Sequence, residues 1–286
     1  MRLDHVVILV DELSTAMRDY ADLGFSVTPG GEHKGLGTHN ALIPLADGAY
    51  LELIAFRQRS FPRGTVILKE VRGRQLSATA RTPAERRMLA WETCGEGLVD
   101  FALLPRDIEA DLKAARSRGL AMEGPLPGSR LRPDGQKVAW QFGIPATWDL
   151  PFLCADVTAR SLRVPEGAAR EHPNGATGVA RIAVAVNDVR DSASRYEALL
   201  GVPRSSKLER GVPSQRGTEP QTVEFALGST TIALIAAVGA ETAVRHRLAT
   251  RGEGPCALVL RQKNKAAPSL LDPPRSHGAR IEWMTE

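Results

Sequence analysis

Residues 3–25 read LDHVVILVDELSTAMRDYADLGF, and the same pattern returns at residues 180–202 as ARIAVAVNDVRDSASRYEALLGV. A shift of 176 positions brings Tyr20 onto Tyr196, Leu23 onto Leu199 and Val10 onto Val186. A third version, LVDFALLPRDIEADLKAARSRGL at residues 98–120, aligns at a shift of 95, with Asp107–Ile108 on Glu12–Leu13. Each copy opens with a short apolar strand, continues with an acidic residue able to cap a helix, and ends its helix-period stretch at a glycine. Leu13, Met17 and Tyr20 fall at i, i+4 and i+7, one apolar stripe on one helix face. Gly24, Gly119 and Gly201 stand where the helix must stop and the chain reverse.

Working outward, further strands follow each helix. The first copy supplies 40–46 and 49–56 around Asp47–Gly48, the second 137–142 and 151–155, the third 222–227 and 230–237. A shorter fourth stretch holds strands at 256–260 and 279–283 with a Pro-rich middle. The chain therefore reads as α+β, built from repeated βαβββ units that form half-open, barrel-like mixed sheets. A single unit leaves one face of a small sheet uncovered, so units should pair around a core or cleft. Two halves are expected. Residues 1–158 carry units at 1–56 and 95–156 joined by a basic, partly helical linker at 57–94. Residues 159–286 carry a linker at 159–177, a unit at 178–237 and a truncated unit at 254–286.

Composition narrows the class. Of 286 residues, 43% are hydrophobic and 24% charged, the balance of a globular protein. Aromatics make up 5%, so the core must rest on Ala, Val, Leu and Ile. The longest nearly apolar run, 231–240, falls short of the roughly 18–20 residues of a membrane helix. The amino terminus offers only Val6–Val10 as an apolar stretch, without a secretory signal's layout, so a cytoplasmic protein with no membrane partner is expected. The three cysteines are odd in number and far apart, which argues against a disulfide framework or a thiolate zinc site. Net charge is +4, yet the segment from Arg57 to Arg87 alone carries eight Arg and one Lys against two Glu. With Phe61 its single aromatic, that segment lacks the stacking residues of a nucleic-acid surface. It reads as a solvated helix face with a loop, or as a basic rim drawing in an anionic small-molecule substrate. A homodimer is left open.

Paired βαβββ units, with Leu3-Asp4-His5-Val6-Val7 on a first strand, Gly37-Thr38-His39-Asn40-Ala41-Leu42 on a middle one and Tyr50-Leu51-Glu52-Leu53-Ile54 on a last, resemble the vicinal oxygen chelate superfamily. Together with His172-Pro173-Asn174-Gly175-Ala176, nearly the whole chain looks like the glyoxalase-like domain family within it. The resemblance implies a fold of the glyoxalase/dihydroxybiphenyl dioxygenase kind. It also implies a divalent ion held by one residue from the first and one from the fourth strand of each paired unit. His5 and Glu52 match those positions in the first unit, and imidazole with carboxylate suits zinc, nickel, iron or manganese. The third unit departs, with Arg181 at the His5 position and Ala233 at that of Glu52. In the second unit Asp100 matches His5, while the Glu52 position falls near Phe152 or Leu153. Asp100 would supply a third metal ligand if units one and two are the pair.

The remaining candidates follow from local geometry. A two-residue turn at Asp47–Gly48 would set Ile43 opposite Glu52 and His39 opposite Phe56, placing His39 on the face of Glu52 but about 13 Å along the strand. His39 is then a rim or second-site substrate contact. His172, before a proline in a linker, is free to fold over a cleft as a catalytic or substrate contact. His33, His246 and His277 read as surface residues, and Gly30–Gly31 as loop. Glu52, among apolar neighbours, would be costly to bury unpaired and needs a metal, an arginine or water. Arg181 is a candidate partner for it or for a substrate carboxylate. Tyr50 lines the core or a cleft wall. Two functions are carried forward. One is metal-assisted isomerase or lyase chemistry on a small oxygenated substrate, with His5 as ligand and Glu52 as ligand or base. The other is a metal-free small-molecule binding or sequestering protein of the drug-resistance type.

Overall fold

The repeat grammar is realised helix by helix. In the computed structural model, which describes residues 1–58, 83–204, 221–237, 243–263 and 270–286, three helices follow first strands and carry equivalent caps. Helix α1 (Leu13–Asp22) is capped by Glu12, whose carboxylate accepts from the Ser14 amide. Helix α3 (Ile108–Ser117) is capped by Asp107, accepting from Ala110. Helix α5 (Val189–Leu200) is capped by Asp188, accepting from Arg190 and Asp191. Each cap satisfies backbone donors that the first helical turn leaves unpaired. A further helix, α2 (Pro83–Cys94), leads into the second unit. Most of the basic segment, residues 59–82, lies outside the described residues.

Eight strands form one closed barrel. Unit one contributes β1 (Arg2–Leu9), β2 (Thr28–His33), β3 (Thr38–Pro44) and β4 (Tyr50–Phe56). Unit two contributes β5 (Gly97–Leu104), β6 (Met122–Leu131), β7 (Lys137–Pro145) and β8 (Phe152–Asp156). Around the ring the order is β1-β4-β3-β2-β6-β7-β8-β5, so the two units are mirror halves of one wall. The first strands join antiparallel as β1–β5, and the ring closes at a short seam where Glu32 and His33 pair with Leu131 and Arg130. Among the described residues the eight strands curl into one continuous ring, the barrel-like mixed sheet that the repeated units implied.

Closure depends on two glycines that the sequence presents as loop. Gly30 and Gly31 lie in β2, and Gly31 adopts a φ of 143°, a region L side chains rarely enter. A Cβ at Gly31 would overlap the carbonyl oxygen of Leu131 across the seam, and one at Gly30 would overlap the amide oxygen of Asn40.

The third and fourth units form a separate five-stranded sheet. Its strands are β9 (Ala176–Val186), β10 (Gln221–Leu227), β11 (Thr230–Ala236), β12 (Gly254–Gln262) and β13 (Ile281–Thr285), ordered β10-β11-β9-β12-β13. Helix α6 (Ala243–Thr250) precedes β12. First strands again meet antiparallel, β9 with β12, as β1 meets β5. Alternate residues of the barrel wall divide the core. Val7, Leu9, Ile54, Ala102, Trp140 and Phe152 pack in one cluster with helix α2. Val6, Ile8 and Val10 join the outer layer with α1, α3, α5 and the second sheet. The repeated tyrosines lock that layer: Tyr20 donates to the Ser276 carbonyl at 3.1 Å and Tyr196 to the Asp149 carbonyl at 2.8 Å. All three cysteines are free thiols. No helix among the described residues is long and apolar enough to cross a membrane.

Candidate functional site

The barrel lines a cavity of about 60 Å³ that opens to the outside, with His5, Tyr50, Glu52, His33 and Arg130 on its polar side. His5 on β1 stands beside Tyr50 in the parallel register of β1 and β4, and Val7 beside Glu52. Strand alternation therefore turns His5, Tyr50 and Glu52 inward together. The His5 and Tyr50 rings stack with centroids 4.7 Å apart. His5 is 3% exposed and Glu52 7%. The sequence's two leading residues are brought together: His5 Nε2 lies 3.3 Å from Glu52 Oε2.

Both ends of the imidazole are engaged. Its Nδ1 is 2.7 Å from Asp4 Oδ2, so one ring nitrogen faces each of two carboxylates. Asp4 is in turn gripped by Arg163, through 2.7 and 3.0 Å bonds, and by Arg160 at 2.6 Å. Burial alone would raise the Asp4 carboxyl, but Arg163 and His5 hold it well below the usual carboxylate range. Arg163, on the short helix α4 (Arg160–Arg163), also donates to Tyr50 Oη at 2.8 Å and binds Asp156. Burial drives the Tyr50 phenol well above its ordinary value, so it remains protonated.

Glu52 has two further neighbours that the sequence did not supply. Asn40 Nδ2 donates to Glu52 Oε1 at 2.6 Å, and His33 Nε2 stands 3.7 Å from the same oxygen. Burial pushes Glu52 up, yet His5, His33 and Asn40 outweigh it and the carboxyl sits below its ordinary value, ionised near neutrality. His33 Nδ1 is bonded to Thr38 Oγ1 at 2.9 Å. Burial, helped by Arg130, lowers its pKa to about 4, so the ring is neutral.

Asn40 sits here because of hairpin geometry. The β3–β4 connection closes as Leu45 N–H to the Ala49 carbonyl, a three-residue loop at 46–48 instead of a two-residue turn. Leu42, not Ile43, therefore faces Glu52, and His39 faces Ala55. A one-residue slip exchanges the two faces of a strand. His39 consequently leaves the site and Asn40 enters it, a correction to the sequence expectation.

Other expectations are also corrected. Asp100 is not an available ligand: Arg87 engages both oxygens, Nε at 2.5 Å and Nη2 at 2.8 Å, and Trp91 Nε1 donates at 3.0 Å. His172 does not fold over the cleft; its Nδ1 accepts from the Ser26 amide and its Nε2 meets the Pro44 carbonyl at 2.8 Å, tying the segment before β9 to unit one. Arg181 lies on the second sheet, where it pairs with Glu224 at 2.8 Å rather than with Glu52. His33 and His277 are buried, not surface residues, and His277 bridges Glu96 and Asp19. In unit two the register places Phe152, opposite Ala102, at the Glu52 position.

Could these donors hold a divalent ion? In kind they fit. His5 Nε2, His33 Nε2 and the Glu52 carboxylate face one another, while the outer nitrogens of both rings are already held by Asp4 and Thr38, the support that ligand histidines characteristically have. As placed, no three His, Cys, Asp or Glu side chains among the described residues are gathered tightly enough to hold one. Cys154 adds no ligand in its present form, since burial pushes its thiol far above the ordinary value.

The profile of a glyoxalase-like domain matches residues 3–200. No curated protein matches the chain in sequence. Among solved structures, a hypothetical protein from Staphylococcus aureus is similar over 99% of both chains, with a TM-score of 0.69 at 15% identity. A mutant of 4-hydroxymandelate synthase from Streptomyces coelicolor is similar over 92% of this chain and 72% of its own, with a TM-score of 0.56 at 16% identity. At such identities these likenesses speak for the fold alone.

Proposed function

The chain belongs to the glyoxalase-like domain family, of the vicinal oxygen chelate superfamily, and from that premise we propose that its first barrel catalyses proton transfer on a small oxygenated substrate. The observation that carries this is the buried pair of His5 and Glu52, 3.3 Å apart and facing the cavity. Glu52 is ionised, sheltered from bulk water and held at one oxygen by Asn40, so it is placed to accept a proton from carbon next to a substrate carbonyl. The C–H electron pair passes to the carbon–carbon bond, leaving negative charge on the carbonyl oxygen. In a 2-hydroxy ketone, transfer of the hydroxyl proton to the enolate oxygen and return of the Glu52 proton to the former carbonyl carbon complete an isomerisation. In a substrate with a leaving group on the carbon beyond the deprotonated one, the enolate electron pair expels that group and completes an elimination. Protonated Tyr50 is available as a hydrogen-bond donor toward the charged oxygen. A divalent ion would be held by His5 and Glu52, with His33 as the next donor, and would stabilise that oxygen's charge as a Lewis acid.

The cavity's aromatic walls, Trp91, Trp140, Phe142 and Phe152, favour a second reading, metal-free sequestration of an apolar small molecule. Exchange of carbon-bound protons for deuterium separates the two. In D₂O, with small 2-hydroxy ketones and 2-oxo acids as probes, proton NMR should show catalysed exchange beside the carbonyl of at least one, reduced about 10²-fold or more in Glu52→Gln. No exchange across the panel, or undiminished exchange in the variant, would contradict the catalytic reading.

A further inference from the structure

Arg130 of β6 is a buried cation on the cavity wall, 3% exposed, and stands directly across the closing seam from His33. Among the described residues its guanidinium makes one hydrogen bond, from Nη2 to the Arg163 backbone carbonyl at 2.7 Å. Nε is buried without a partner, and among the described residues no carboxylate lies within 4 Å of the guanidinium. The other cavity arginines differ: Arg163 is saturated by Asp4 and Asp156, and Arg87 by Asp100. On the same inner face Trp140 Nε1 is a second buried donor without a partner. Removing a guanidinium from water is costly unless a charged acceptor takes its hydrogen bonds. Burial lowers the Arg130 pKa from its ordinary value, with Tyr50 and Glu52 acting against that shift.

We propose that Arg130 is the recognition residue for a carboxylate on the substrate, so that the barrel takes small 2-oxo or 2-hydroxy carboxylates with an apolar tail. The planar guanidinium matches a carboxylate, the aromatic walls match the tail, and His5 with Glu52 faces the oxygenated carbon. This assignment of substrate class rests on the proton-transfer reading of the same cavity. Arg130 binds and orients; it takes no part in the proton step.

The test is a pair of probes, 2-oxoisocaproate and its uncharged methyl ester, measured by calorimetry and ligand-observed NMR. The wild type should bind the acid at least about tenfold more tightly than the ester. Arg130→Met should abolish that preference by weakening the acid far more than the ester, and Arg130→Lys should retain part of it. Equal affinity for acid and ester in the wild type, or no binding of the acid, overturns the proposal whatever the variants do. A wild type that prefers the acid yet exchanges no carbon-bound proton would sustain Arg130's role and refute the catalytic one.

Discussion

Glu52 shows how much one side chain depends on its neighbours. A carboxylate buried in an apolar wall must find donors, and it finds an amide and two imidazoles. Asn40 reaches it because Gly30 leaves the space a methyl group would fill. Gly30→Ala should therefore push Asn40 away and cost about 1–3 kcal/mol, read as a lowered urea midpoint with unchanged m-value. An unaltered midpoint would mean that Asn40 has room to move. At this scale the sequence was half informative. His5 and Glu52 stood out because the resemblance implies ligands on the first and last strands of a unit and because a carboxylate among apolar residues is conspicuous, while Tyr50 read only as a core or cleft-wall residue. Asn40, His33 and Arg130 could not, since each depends on a register: Asn40 on a three-residue loop, His33 and Arg130 on a seam between strands almost a hundred residues apart. The one available hint was the Gly30–Gly31 pair, whose side-chain-free backbone marks a close approach.

Among the elements, the four-residue helix α4 does more than link the halves. Arg163 is 2% exposed and ties Asp4 on β1 and Asp156 at the end of β8 to Tyr50 on β4. Removing one partner of such a network leaves buried charge uncompensated. Arg163→Met should destabilise the protein by about 3–5 kcal/mol in denaturant unfolding. A loss below about 1 kcal/mol would show that water replaces the guanidinium. The helices after first strands were legible from their caps and glycine stops, because those signals are local. Strands β2 and β6 were not: TPGGEH and MEGPLPGSRL carry glycine and proline and little apolar alternation. They are strands because the ring needs them to close, a demand made by the other strands and not by their own residues.

Over the whole molecule, duplication fixes the plan: two units make a closed barrel, two make an open sheet, and first strands meet antiparallel in both. The interfaces are sealed by tyrosines. All three in the chain, Tyr20, Tyr50 and Tyr196, are buried, and burial raises each above the ordinary phenol value. Folded, they keep their protons where the unfolded chain would lose them, so this contribution to stability is whole below about pH 10 and declines as pH rises beyond it. Tyrosinate absorbance should thus appear only as the protein unfolds; its appearance near pH 10 with circular dichroism intact would contradict the packing. The repeat was visible at this scale because it is written into three long segments, whereas the loss of ligand positions in units two and three left a single candidate site. That site is tested most directly by elemental analysis of protein purified without chelators. The account predicts about one divalent ion per chain, lost in Glu52→Ala and in His5→Ala. Protein that stays metal-free after incubation with zinc, nickel, iron or manganese, or that keeps its ion in both variants, would contradict it.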